Sequence, residues 1–396
     1  MFHVKQRRGL GLLLLVTVLG VLVAGCVSAS KPRGWAGPVK AGDTLVVSTG
    51  GGRLDGFDRD GRRIWRFPDF WCVPDGSTDN LDGVYGKPAV SADGRVVFVG
   101  DYNGYVYAFR PGDVKLEVDC ELDGLPASST LNLGEPVIGG LTLDSASGRL
   151  FVTSGKQVFK VRAQSMIDAL DGKVRIDNEL FYETEGDIWS TPVVASGKVL
   201  FTSLDGYLYA VDPASNQLMW RFKADSGLVS TPVVVGDRVL VAGFGGILYS
   251  VDIDDGSEQW GFKASHWIWG EPAVAQDTAY VGDFDGIVHA VDIPSGTETW
   301  SVSLDKGPIR AAPAIASGTL IVSTDLGWLF GIDLSSREVA WQRDIGSKLN
   351  AGITVDGSNV YIAPQGCVTP EAGGEKVYYI QVNPSNGDLT AASGVC

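Results

Sequence analysis

One sixteen-residue phrase recurs at a fixed period: DGYLYAVDPASNQLMW at 205–220, GGILYSVDIDDGSEQW at 245–260 and DGIVHAVDIPSGTETW at 285–300. Self-similarity near forty residues points to a solenoid, a propeller or an array, and it overrides the two or three domains that 396 residues would otherwise suggest. With 44% hydrophobic and 20% charged residues, the chain can bury a large core.

Each copy opens with a proline-led apolar stretch: TPVVASGKVLFTS (191–203), TPVVVGDRVLVAG (231–243), EPAVAQDTAYVGD (271–283) and APAIASGTLIVST (312–324). Short β-branched runs alternating with period 2 and split by Gly, Asp or Asn read as antiparallel strands joined by tight turns. The quoted phrase adds a third strand, a second turn and an outer strand ending in Trp, so the unit has four strands. Weaker copies follow Pro38, Pro88 and Pro136, and a last one near Gly352 has lost both the proline and the Trp. The anchors therefore fall at 38, 88, 136, 192, 232, 272, 313 and about 352, and eight units fill residues 37–396. Such a unit cannot bury its apolar faces alone, and closing the stack into a ring leaves only short edges. The expected fold is all-β, an eight-bladed β-propeller of four-stranded antiparallel blades. AQSMIDALDG (163–172), inside a long insertion of the third unit, is the one helix expected.

Residues 1–25 read as an export signal. Lys5, Arg7 and Arg8 precede an apolar run from Leu10 to Val23, with small residues before Cys26. The stretch VAGC at 23–26 resembles a bacterial lipobox, which makes Cys26 the lipidation site, 26–36 an anchor and linker, and the outer face of a membrane the location. In a cell with two membranes that face would be the periplasmic side of the outer one. Losing residues 1–25 removes three positive charges and no acidic ones, taking the net charge from −15 to −18. An acidic surface repels phosphate backbones and anionic lipid heads, which argues against nucleic acid as a partner. Cys72, Cys120, Cys367 and Cys396 remain, an even count in an oxidising compartment. They allow three pairings, of which Cys72 with Cys120 and Cys367 with Cys396 join neighbouring parts of the repeat. No Cys-x-x-Cys spacing suggests a metal.

The pattern Gly-x-Leu-x-Ala-x-Asp, eight residues before a Trp, resembles the pyrroloquinoline quinone repeat. That repeat is found in quinoprotein dehydrogenases and in the propeller lipoprotein of the outer-membrane barrel-assembly machinery. Asp212 with Trp220, Asp252 with Trp260, Asp292 with Trp300 and Asp333 with Trp341 match it; Asp58 with Trp65 matches with one residue deleted. Units two, three and eight are degenerate. The resemblance implies that each motif Trp docks between adjacent blades, while the Asp can accept hydrogen bonds from its own turn.

Function must come from residues that break the repeat. The segments joining one unit to the next carry Trp71, Trp189, Trp267 and Trp269, and SHWIWGEP (265–272) is the densest cluster. Tyr85, Lys87, Glu135, Trp189, His266, Trp267, Trp269, Glu271 and Arg310 form a candidate binding mouth on one face of the ring. Aromatic and Arg anchors with a polar rim describe a protein-binding surface, although the same rings could simply plug the channel. DYNG (101–104) and DFDG (283–286) look like calcium loops, but the later ligands are missing and each reads as a structural turn. Adjacent cysteines and a Gly-x-Ser-x-Gly elbow are lacking, so neither a quinoprotein nor a hydrolase is expected, and no cofactor or metal. Of the three His, His3 leaves with the signal, His289 replaces a strand tyrosine at a packing position, and His266 alone lies in a mouth loop. The expected function is a non-catalytic, lipid-anchored monomeric propeller acting as a protein-binding or assembly scaffold. The alternative is a dehydrogenase-like or other ligand-binding propeller using its channel, with glycan binding a third class.

Overall fold

The computed structural model describes residues 34, 36–49, 52–67, 81–113, 129–171, 175–365, 368 and 379–391. The expected signal, the lipidation site Cys26, Trp71 and the candidate disulfide cysteines Cys72, Cys120, Cys367 and Cys396 lie outside them.

Eight four-stranded antiparallel sheets follow one another along the chain, each built from four consecutive strands. The chain is an eight-bladed β-propeller, nearly all-β. Blade 4 shows the unit: Val193–Ala195 innermost, then Lys198–Thr202, Tyr207–Val211 and the outer strand Leu218–Lys223. The two middle strands are buried almost throughout. Each is covered on both faces by neighbouring blades, so its sequence is a continuous apolar run rather than an alternating one. Alternation survives only on the outer strand, where Trp220 and Phe222 point inward between exposed residues.

A bulge recurs beside every motif Trp and explains a second periodicity. The ladder shifts after Gly56, Ala210, Ser250, Ala290 and Gly331, each of which faces Trp65, Trp220, Trp260, Trp300 or Trp341. The facing residue is small because the indole lies across it: a Cβ on Gly331 would sit 2.1 Å from Trp341. The ring then reaches the next blade, where Trp220, Trp260 and Trp341 donate Nε1–H to the carbonyls of Ile253, Ile293 and Pro384 at 3.0, 2.7 and 2.8 Å. Each accepting carbonyl follows the turn residue of its blade, Asp252, Asp292 or Asn383. That turn is held from within, since Asp212, Asp252 and Asp333 each accept two backbone amides. Gly256, at φ +75°, ends the turn where a Cβ would lie 2.6 Å from Trp220.

Three of the other seams are built differently. Trp65 is buried against Phe109, with no hydrogen bond from its Nε1 among the described residues. Between blades 2 and 3, helix α1 (Ala163–Leu170) lies over the strands of blade 2 and buries Met166 there. Between blades 3 and 4, Lys160 replaces the indole and donates to the carbonyl of Pro213 at 3.1 Å.

Blade 8 uses its own four strands, so the ring closes without exchanging a strand between the chain ends. Closure rests on packing of Phe57 against Tyr379, a bond from Thr354 Oγ1 to the carbonyl of Pro38, and a Lys40–Asp356 ion pair. The expected anchor of unit three needs correction. Its inner strand is Leu141–Asp144, so Leu141 stands where the other blades have proline, and Pro136 lies five residues earlier.

Candidate functional site

Every outer strand ends at the rim, and the chain must cross back to the axis to begin the next blade. The crossing segments bring equivalent residues together around one central cavity of about 620 Å³. Three residues before the inner-strand lead stand Tyr85, Ile138, Trp189, Val229, Trp269, Arg310 and Asn350. One residue before it stand Lys87, Gly140, Thr191, Thr231, Glu271, Ala312 and Gly352. Bonds between blades tie this ring together, including Thr191 Oγ1 accepting from Gly140 and Thr231 Oγ1 accepting from Thr191 at 3.0 and 3.3 Å.

Six of the nine expected mouth residues therefore line the cavity: Tyr85, Lys87, Trp189, Trp269, Glu271 and Arg310. Glu135 does not. It was aligned with Glu271 through the misplaced anchor of unit three, and it lies exposed beside Gly155. His266 and Trp267 sit outside the lining, on the rim, with Trp267 44% exposed.

Most of the aromatic residues form one wall. Trp189 lies 5.7 Å from Trp269, Trp269 lies 5.5 Å from Phe244 and 6.1 Å from Phe284, and Trp267 touches both phenylalanines at 5.2 and 5.7 Å. His266 stacks on Phe284 at the outer end. Arg310 closes the inner end, its guanidinium 4.9 Å from the Trp269 ring and 5.3 Å from Phe284. Tyr85 and Tyr102 form a separate pair in the lining. Phe244, Phe284 and Tyr102 were not anticipated from sequence. They occupy one equivalent turn position, in GFGG, DFDG and DYNG, and aromatic residues at a repeated turn position were the signal available.

Polar groups in the cavity are incompletely paired. Trp189 Nε1, Arg310 Nε and Asn350 Oδ1 are buried without hydrogen-bond partners among the described residues. Buried polar atoms are rarely left so, and unpaired ones mark a place where another molecule can complete the bonds. Glu271 is reachable by water along the cavity yet enclosed by the ring; that desolvation pushes its carboxyl above the usual range against the pull of Thr231 and Lys87.

A tricarboxylate quinone would require several free cations and a calcium ligand set. The cavity offers Lys87 and Arg310, the latter 3.5 Å from Asp325, beside the carboxyl of Glu271. Among the described residues no three His, Cys, Asp or Glu side chains could hold a metal ion. The lining does not fit such a cofactor. In the two calcium-like loops, Asp101 and Asp283 accept backbone amides two and four residues on, from Asn103 and Tyr105 and from Asp285 and Ile287. Both are turn locks.

His289 does more than pack. It takes the place of Tyr107, Tyr209 and Tyr249, and its ring bridges Asp283 Oδ2 at 3.1 Å and Glu298 Oε1 at 2.7 Å, while Ser265 donates to the same Asp283 oxygen. Burial alone would lower its pKa, but the two carboxylate hydrogen bonds outweigh burial and raise it. The stability that this pairing supplies is complete below about pH 6.5, the ordinary histidine value, and is lost as pH rises through the raised folded value. His289→Tyr, whose hydroxyl can bond Asp283 as Tyr107 bonds Asp101, should remove that loss. Urea unfolding of both proteins from pH 6 to 9 tests this, and equal slopes would refute it.

A search of curated proteins returned no match. A family model described as outer membrane protein assembly factor BamB matches residues 165–366 and 265–392, together more than half the chain. Among solved structures, BamB from Moraxella catarrhalis is similar at a TM-score of 0.62 and 15% identity, covering 83% of this chain and 91% of that one. The computationally designed Ika8 protein is similar at 0.63 and 14% identity, covering 88% and 98%. At such identities these likenesses speak for the fold alone.

Proposed function

The chain belongs to the family of outer membrane protein assembly factor BamB, and from that premise we propose that it is a non-catalytic scaffold which binds polypeptide segments at its central mouth. The observation that carries this reading is the aromatic wall of Trp189, Phe244, Trp267, Trp269 and Phe284, closed by Arg310 above a cavity with unpaired polar atoms. Aromatic and Arg side chains dominate binding energy at protein interfaces. The unpaired set contains two N–H donors and one carbonyl acceptor, which complement the carbonyls and amides of a peptide backbone. In this reading the signal over 1–25 exports the chain and a lipid on Cys26 holds it at the membrane, beside the assembly complex it serves.

Purification of the lipidated protein from its native membranes should recover subunits of such a complex. Trp267→Ala with Trp269→Ala should reduce their recovery at least tenfold, since anchors of this kind are worth about 2 kcal/mol or more each. Undiminished recovery by the double variant would remove the aromatic wall from the binding site.

A further inference from the structure

Between blades 8 and 1 lies a cleft of about 460 Å³, lined in part by the closing residues Lys40, Asp356 and Tyr379. It is a seam with no tryptophan or lysine donor of this kind among the described residues. At four other seams an N–H group reaches the carbonyl that follows the turn residue of the next blade: Lys160 on Pro213, Trp220 on Ile253, Trp260 on Ile293 and Trp341 on Pro384. Between blades 8 and 1 the equivalent turn is Asp58–Gly61, one residue shorter and held by Asp58 accepting the amides of Asp60 and Arg62, with Arg59 in the position of the accepting residue. Opposite it, Gln381 pairs with Thr390 where blade 4 pairs Ala210 with Trp220 and blade 3 pairs Lys160 with Glu179. The Gln381 amide is turned to Asn359, donating to its Oδ1 at 2.8 Å.

We propose that this cleft receives a cationic side chain, arginine or lysine, from a partner polypeptide. Of the two kinds of donor the chain uses on itself, the cleft matches the Lys160 kind. Gln381, Thr390 and Asn359 give it polar walls, and its carboxylates Asp43, Asp58, Asp60 and Asp356 outnumber Lys40 and Arg59. Three of the four already have partners: Asp356 holds Lys40, Asp43 holds Arg59, and Asp60 is paired with Arg62. Asp58 has no ion-pair partner among the described residues. It stands where Asp212 stands in blade 4, the carboxylate whose pKa is held down by its turn amides and also by Lys160. An incoming cation would reach the Arg59 carbonyl and Asp58 together, as Lys160 reaches the Pro213 carbonyl near Asp212. The site lies apart from the aromatic mouth and stands or falls independently of it.

The probes are acetyl-Ala-Arg-Ala-amide, its neutral citrulline isostere and acetyl-Ala-Trp-Ala-amide, titrated against the whole protein by ligand-observed NMR. The arginine peptide should bind saturably and the citrulline peptide about tenfold more weakly, because the charge-assisted bonds are lost. Gln381→Lys places an ammonium at the Lys160 position; it should abolish arginine-peptide binding without lowering the melting temperature. Asp60→Lys, on an exposed turn, should weaken binding even if the first variant folds poorly. No saturable binding, equal binding by all variants, or preference for the tryptophan peptide would each overturn the proposal.

Discussion

Replacing Trp220 by alanine should cost about 3–5 kcal/mol of stability, the range for truncating a buried tryptophan. The side chain is 8% exposed, packs within the core shared by blades 4 and 5, and satisfies the Ile253 carbonyl. The cavity cannot collapse readily, because Gly256 and the turn that ends at it are already fixed by Asp252. Trp220→Phe keeps most of the apolar contact and loses the indole donor, so about 1–2 kcal/mol is expected there. Urea denaturation of the three proteins measures both. A cost below about 1 kcal/mol for the alanine variant would show that the seam does not depend on its indole.

Arg66→Ala should be comparably damaging, by about 3–5 kcal/mol, although Arg66 lies on the outer strand of blade 1. Its guanidinium holds Asp55 through two bonds at 2.7 and 2.9 Å, with Arg63 3.8 Å away, and the Asp55 carboxylate is fully buried. Truncation would leave that charge with the more distant Arg63 in a place that water does not reach. The paired change Asp55→Leu with Arg66→Leu removes both charges and should recover most of the loss. A double variant as unstable as the single one would mean that the pair, not the orphaned carboxylate, sets the stability.

The aromatic wall shows how far a repeat can be read for function. Trp189, Trp269 and Arg310 were visible as departures from the repeated phrase, and their equivalent positions bring them to one cavity. Phe244 and Phe284 lie within the phrase's own turns and passed as ordinary turn residues, yet they join the tryptophans into one surface. Glu135, one residue before Pro136, lies outside the cavity lining because the inner strand of its blade begins only at Leu141. His289 was read as packing because its carboxylate partners sit six residues before it and nine after, where only a hairpin brings them to one side chain.

The sequence by itself determined the number of blades, the four strands in each and the docking residue of most seams. These are local facts: a strand and its turn are written in consecutive residues, and a period repeats them. The tertiary structure decided what each seam contains and how the ring shuts. Helix α1, Lys160 and the open cleft between blades 8 and 1 stand in for the missing tryptophans. Closure pairs Phe57 with Tyr379 and Pro38 with Thr354, residues from opposite ends of the chain. No periodic pattern encodes such contacts, because they depend on the accumulated rotation of eight blades about a common axis.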